Sequence, residues 1–383
     1  MNLVIHDLNE EEWGRIAEKY SGWKVISDQG NIKPCLGCFG CWVKEPGQCV
    51  MKDGYEHMGA LIHQADEVEV ISRYTYGGFS SFVKNVFDRS IGWVLPYFEL
   101  VEGEMHHKKR YPEDKPLTIV FRGSAFTEED RRRAEDYVKA VCRNFRGFIR
   151  DIRFEEDKAL CDKPEKKAWA DWNPGKTVLL NGSLKGDQAN SRKFLNRLAD
   201  NLNEKAEIVN FSSYLSRPDD LVQLLLSAEK VVLGMPMYVD GIPSAVLRIM
   251  ERMEAYDQKA GKKVYALVNM GLYESCQIRN LLGMVRAWSE KCGYDYSGGL
   301  AIGAGEMLGM FMSGKSKGKG PAKNVEEGIE TLAKAINSSS RTEDIYADAY
   351  RFPRALYMFA ANLGWPADGK KNGLKKKELL NQP

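Results

Sequence analysis

Continuous apolar runs recur along the chain, each closed by a polar or glycine-bearing loop and then by a stretch whose apolar residues return every three or four positions. Runs at Asn2–His6, 67–71 and Leu117–Phe121 in the first half, and at Thr177–Asn181, 230–235 and Lys263–Asn269 in the second, predict strands buried on both faces. Between them, Glu128–Asn144 and Cys276–Lys291 carry the helical period. Strand alternating with helix predicts an α/β protein with one doubly wound parallel sheet in each half. The stretch 155–175 is dense in Lys, Glu, Asp and Trp and has no clear period, so domains are expected at 1–154 and 176–383 with a linker between them.

An internal repeat supports this division. Ala65–Arg89 aligns without a gap on Ala228–Arg252, at a constant offset of 163. Identities fall at Ala65/Ala228, Val68/Val231, Gly78/Gly241, Ser81/Ser244, Val83/Val246 and Arg89/Arg252. So many identities in one register indicate a duplicated unit that runs strand, loop, helix, with Pro243 suited to the first turn of the second helix. Upstream of the repeat the first copy is longer by 12 residues, and the segment Cys35–Cys49 is expected to account for most of that excess.

Length and charge narrow the function classes. A chain of 383 residues exceeds one ordinary core, and its 43% hydrophobic content suffices for two. The formal charge of +2 leaves no global field to attract nucleic acid or a membrane surface. No apolar stretch approaches the roughly 20 residues needed to span a bilayer. The opening Met-Asn-Leu-Val-Ile-His-Asp has no basic segment or apolar signal core, so a soluble, cytoplasmic protein with reduced thiols is expected.

Candidate chemistry falls in two places. After the strand at 177–181 comes Asn181-Gly-Ser-Leu-Lys-Gly-Asp-Gln-Ala-Asn-Ser191, leading into a helix near Arg192. Free backbone amides, hydroxyls and the positive helix end suit a phosphate, held by Ser183, Lys185, Asn190 and Ser191; an ordinary strand-to-helix turn is the alternative. The matching loop of the first copy, Asp7–Glu12, is rich in carboxylates that repel an anion. Pro236-Met-Tyr-Val-Asp-Gly241 and the loop 269–275 follow the next strands, at the switch point where open α/β sheets bind ligands. Tyr238 and Tyr273 there can line a ligand or pack as ordinary surface aromatics.

The second place is the Cys-x2-Cys-x2-Cys-x7-Cys segment of Cys35, Cys38, Cys41 and Cys49. Its spacing suits an iron-sulfur cluster or, less favoured, a closed zinc site, and a loop of reduced thiols also fits. Cys142, Cys161, Cys276 and Cys292 are isolated and read as core or helix residues. Glu104, His106, His107 and Arg110 are expected in a solvated or interdomain polar patch, Lys315–Lys323 in a flexible loop, and Gly369–Lys377 as solvated charge.

Together, the Gly-Ser loop, the Met-Pro-Met-Tyr loop and the cysteine segment with Val-Met-Lys-Asp53 resemble the flavodoxin-like NAD(P)H-dependent FMN reductase family and its iron-sulfur flavoprotein branch, in tandem. The resemblance implies FMN at Ser183, Lys185, Asn190, Ser191 and Pro236, Met237, Tyr238, Val239 and Asp240, with Gly271 and Tyr273 on the same rim. It further implies hydride passage from NAD(P)H through FMN to a quinone, flavin or similar small acceptor or to a redox protein, in a homodimer. In the iron-sulfur branch it implies a 4Fe-4S cluster on the four cysteines. The chain departs from that pattern by placing the two features in different copies. An electron carrier with such a cluster and a non-catalytic binding module are the alternative readings.

Overall fold

Leu3, Val4 and Ile5 are all fully buried in a computed structural model of the chain, as a central strand covered on both faces requires. The structure describes residues 1–157, 160, 166–168, 173–256, 261–312 and 318–383. Cys161, the middle of the expected linker, and Lys315 and Lys317 of the basic run lie outside the described residues.

Two units are present, Met1–Lys163 with Met358–Pro383, and Pro164–Tyr357. In the first, β1 (Asn2–His6), β2 (Lys24–Ile26), β3 (Glu67–Arg73), β6 (Pro116–Gly123) and β7 (Phe148–Glu156) form a parallel sheet in the order β2-β1-β3-β6-β7. A separate antiparallel hairpin joins β4 (Val94–Val101) to β5 (Glu104–Lys109). Its turn runs through Glu102 and Gly103 at φ 51° and 87°, the left-handed pair that a two-residue hairpin needs. In the second unit, β8 (Asn173–Asn181), β9 (Glu207–Asn210), β10 (Ala228–Pro236), β11 (Lys263–Asn269), β12 (Asp295–Ile302) and β13 (Ile345–Ala347) are ordered β9-β8-β10-β11-β12-β13, all parallel. Counted within each sheet, both begin 2-1-3-4-5, the flavodoxin-like order.

The helices obey their sequence signals. Glu128–Phe145 starts from a Thr127 capping box, carries three acidic residues in its first turn and buries Ala134, Tyr137, Val138, Val141, Cys142 and Phe145. Among the described residues no helix is long and apolar enough to cross a membrane.

Three expectations change. The segment 358–383 belongs to the first unit, although the sequence placed it with 176–357. Trp365 packs edge-on against Phe39 and Trp42, Asn362 exchanges hydrogen bonds with the Phe98 backbone, and the Leu379 and Asn381 carbonyls accept from Arg110. His106 and His107 stand on β5, not on a solvated patch: His106 is buried with its Nδ1 2.8 Å from Asn144 Oδ1, Arg110 is buried as well, and the half-buried His107 sets its Nδ1 2.9 Å from the Leu95 carbonyl. Burial lowers the pKa of His107 to about 4. Pro243 is the residue before the helix Ser244–Glu254, not a member of its first turn.

Candidate functional site

The turns after the third strand of each unit keep the repeat's register. Thr75 pairs with Gly78 and Tyr238 with Gly241, and the residues between them, Tyr76 and Gly77 or Val239 and Asp240, all have positive φ. Val239 is β-branched and sits at φ 41°, a conformation such residues avoid and one found where surrounding structure imposes it.

At the first strand-to-helix junction the two units part. In the first unit the helix Glu10–Gly14 is closed by a reciprocal capping box between Asn9 and Glu12. The Asp7 carboxylate accepts from the Arg73 amide at 3.0 and 3.1 Å, and burial raises its pKa. Glu12 in turn pairs with Arg73 and Arg122. The Asn9 and Glu12 amides, the Arg73 amide and the guanidiniums of Arg73 and Arg122 are thus already engaged by the chain's own side chains at this end.

The second unit has the opposite arrangement. Its ten-residue helix Asn190–Ala199 follows Ala189, which has no side chain able to cap it. Asn181, fully buried at the end of β8, organises the loop: Nδ2 donates to the Gly186 carbonyl at 2.8 Å and to Asn210 Oδ1 at 2.9 Å. Its Oδ1 accepts from Ser191 Oγ at 3.0 Å and from the Ser183 amide at 3.4 Å. Ser183 and Ser191 are thus brought together, Lys185 is exposed beside them, and Asn190 lies under Gly309, where any Cβ would come within 2.6 Å of Asn190 Oδ1.

The rim beyond β10 and β11 continues this site. Pro236 pairs with Asn269, and the Met237 amide donates to the Asn269 carbonyl at 2.8 Å. Asn269 Oδ1 is buried and meets no donor, as is Ser275 Oγ. A Cβ on Gly271 would meet open space. Tyr238 and Asp240 hold the turn, while Tyr273 packs on Tyr357 and donates its hydroxyl to the Phe352 carbonyl at 2.5 Å. The sequence reading missed Asn181, Asn269 and Gly309. Only Asn181 carried a local signal, a polar residue closing an apolar strand just before glycine.

In the first unit, all four cysteines of the 35–49 segment line one cavity of about 20 Å³. Burial drives the Cys35 thiol up to about 12, with Asp88 adding to it, and raises Cys41 well above its ordinary value. Arg89 anchors the segment. Its Nε donates to Cys49 Sγ at 3.0 Å, Nη1 to the Lys33 carbonyl at 2.8 Å, and both Nη atoms to the Asp53 carboxylate at 2.8 and 2.9 Å. Asp53, which also accepts from the Lys33 amide, would be raised by burial but is held down to about 2 by these donors. A cavity of that size holds about one water, far less than a four-iron cube. Among the described residues no group of three or more His, Cys, Asp or Glu is spaced to hold a metal ion. In this arrangement the thiols do not fit the cluster that the resemblance implies.

No family model matches the chain, and no curated protein is similar to it. Solved structures similar to part of the chain include an FMN-dependent NADH-azoreductase from Bacillus anthracis str. Ames Ancestor in complex with FMN (15% identity, TM-score 0.34, 43% of this chain and 100% of that one). The azoreductase AzrA (14%, TM-score 0.30, 43% and 100%) and an azoreductase from Bacillus anthracis str. Sterne (15%, TM-score 0.29, 43% and 99%) are also similar.

Proposed function

We propose that the second unit binds FMN and that the protein is an FMN-dependent NAD(P)H oxidoreductase. The carrying observation is the uncapped start of Asn190–Ala199 at the switch point, facing a rim that holds an unpartnered buried acceptor, Asn269 Oδ1. Ser183, Ser191 and the first amides of the helix would hold the phosphate, with Lys185 and Asn190 at the edge. Pro236–Asp240 and Gly271 would flank the ring, Asn269 Oδ1 would accept from a ring N–H, and Tyr273 would brace the loop from behind. Bound FMN supplies hydride acceptance from a reduced nicotinamide and delivery to a small acceptor such as a quinone or flavin. The chain's own part is to position the ring and to present amides where negative charge develops.

The matched strand orders and the two turns 163 residues apart support an origin by tandem duplication in which only the second copy keeps an open anion site. A homodimer with a small-molecule acceptor or a redox protein as partner belongs to the same reading.

FMN titrated into the full-length chain tests it. Saturable binding of one FMN per chain is expected, with flavin-dependent oxidation of NADH or NADPH. Ser183→Asp, which adds a carboxylate beside the helix start, should weaken binding at least tenfold, about 1.4 kcal/mol. No saturable binding overturns the proposal.

A further inference from the structure

The misfit between the four thiols and a metal centre leaves a different chemistry for the first unit, one that does not depend on the FMN reading. Cys38 is exposed, whereas Cys41, three positions on, is buried, and both line the same small cavity. The chain between them bends through Phe39 at φ 57°, and Gly37 before Cys38 is at φ 63°, left-handed conformations on either side of Cys38. The Gly40 amide donates to Cys38 Sγ at 3.4 Å. Two buried guanidiniums accompany the sulfurs. Arg89 donates to Cys49 Sγ, and Arg110, which interacts electrostatically with Cys41, keeps one Nη2 without a hydrogen-bond partner. An exposed thiol over a buried one in a Cys-x2-Cys turn, with cations alongside, is an arrangement suited to thiol–disulfide exchange.

We propose that Cys38 and Cys41 form a reversible dithiol–disulfide centre that reduces a small, accessible disulfide. Cys38 sulfur bonds to one sulfur of the substrate, whose S–S bond breaks and releases the first thiol. Cys41 sulfur then bonds to Cys38 sulfur and displaces the second thiol. Two electrons pass from the protein dithiol to the substrate disulfide, and the two thiol protons leave on the two products.

The test equilibrates the full-length chain, purified without oxygen and analysed for iron and zinc, in mixtures of glutathione and glutathione disulfide, then alkylates, digests and maps its thiols. The expected result is one two-electron step that joins Cys38 to Cys41 and leaves Cys276, the other exposed thiol among the described residues, outside the bridge. Cys41→Ser should retain one glutathione on Cys38, and Cys38→Ser should slow the reaction at least tenfold. A disulfide that omits either residue, no disulfide across the mixtures, or stoichiometric iron or zinc held by the thiols overturns the proposal. The mapping of the unsubstituted chain stands even where a variant misfolds.

Discussion

Arg89 and Arg252 occupy the same position of the two repeats and have opposite fates. The Arg89 side chain is fully buried and makes five bonds to residues between Lys33 and Asp53, one of them to Cys49, whereas the Arg252 side chain is 42% exposed and pairs with Asp219, itself on the surface. Their neighbours diverge likewise: Lys84, Asn85 and Asp88 are buried in the first unit, while the aligned Arg248 is exposed and Glu251 half-buried in the second. An amphipathic helix whose outer face would ordinarily be solvated has, in the first unit, been roofed by an inserted segment that satisfies that face with its own carbonyls, Asp53 and a thiol. The lesson is that the insertion is part of the first unit's fold, and its cysteines inherit a fixed geometry from Arg89.

The sharpest way to break this contrast is to remove both arginines in turn. Arg89→Ala strands Asp53 in the interior and should cost about 3–5 kcal/mol in chemical denaturation. Arg252→Ala, at an exposed pair, should cost less than about 1 kcal/mol. Equal losses would show that the segment is not held through Arg89.

Acid gives a second, smaller handle on the same ion pair. Asp53 has a pKa of about 2 in the folded chain, below the ordinary carboxylate value of 3.8, so its stabilisation is present above about pH 4 and disappears as the pH falls towards 2. The difference corresponds to about 2 kcal/mol. An acid titration of stability should show this loss in the parent protein and lack it in Asp53→Asn, which will already be weaker at neutral pH.

The sequence made the sheets legible because each central strand is a continuous apolar run, and β1 and β11 begin and end where the runs do. The repeat placed both switch-point turns. The hairpin β4–β5 was missed although Glu102-Gly103 offers its turn signal, because His106, His107 and the lysines around them read as a charged loop. The helix Arg354–Lys371 was missed for a physical reason as well: Gly364, Pro366 and Gly369 interrupt the residue types that usually mark a helix. Its link to the first unit could not be read at all, since it depends on Trp365 meeting aromatics more than 300 positions away. At the sites, the cysteine spacing was visible, but that Arg89 and Asp53 clamp the segment is a contact across 36 residues that no local pattern states. Asn269 became a candidate only when the register of β10 and β11 set it beside Pro236.

The smallest expected effect separates the two helix starts that distinguish the copies. Asn9→Ala removes the capping box from Glu10–Gly14 and should cost the first unit about 1 kcal/mol, with no change in FMN affinity. Ala189→Ser adds a cap where the second unit has none, and Ala189 already has the extended backbone that a cap residue uses, at φ −69° and ψ 144°. That substitution should stabilise the unliganded chain by up to about 1 kcal/mol and weaken FMN by a similar amount, since the new hydroxyl occupies an amide the phosphate would otherwise take. The two readouts moving in opposite directions would mark the start of Asn190–Ala199 as an anion site left open by its sequence. A gain in stability with unchanged FMN affinity would mean that the phosphate, if it binds, is held elsewhere on the rim.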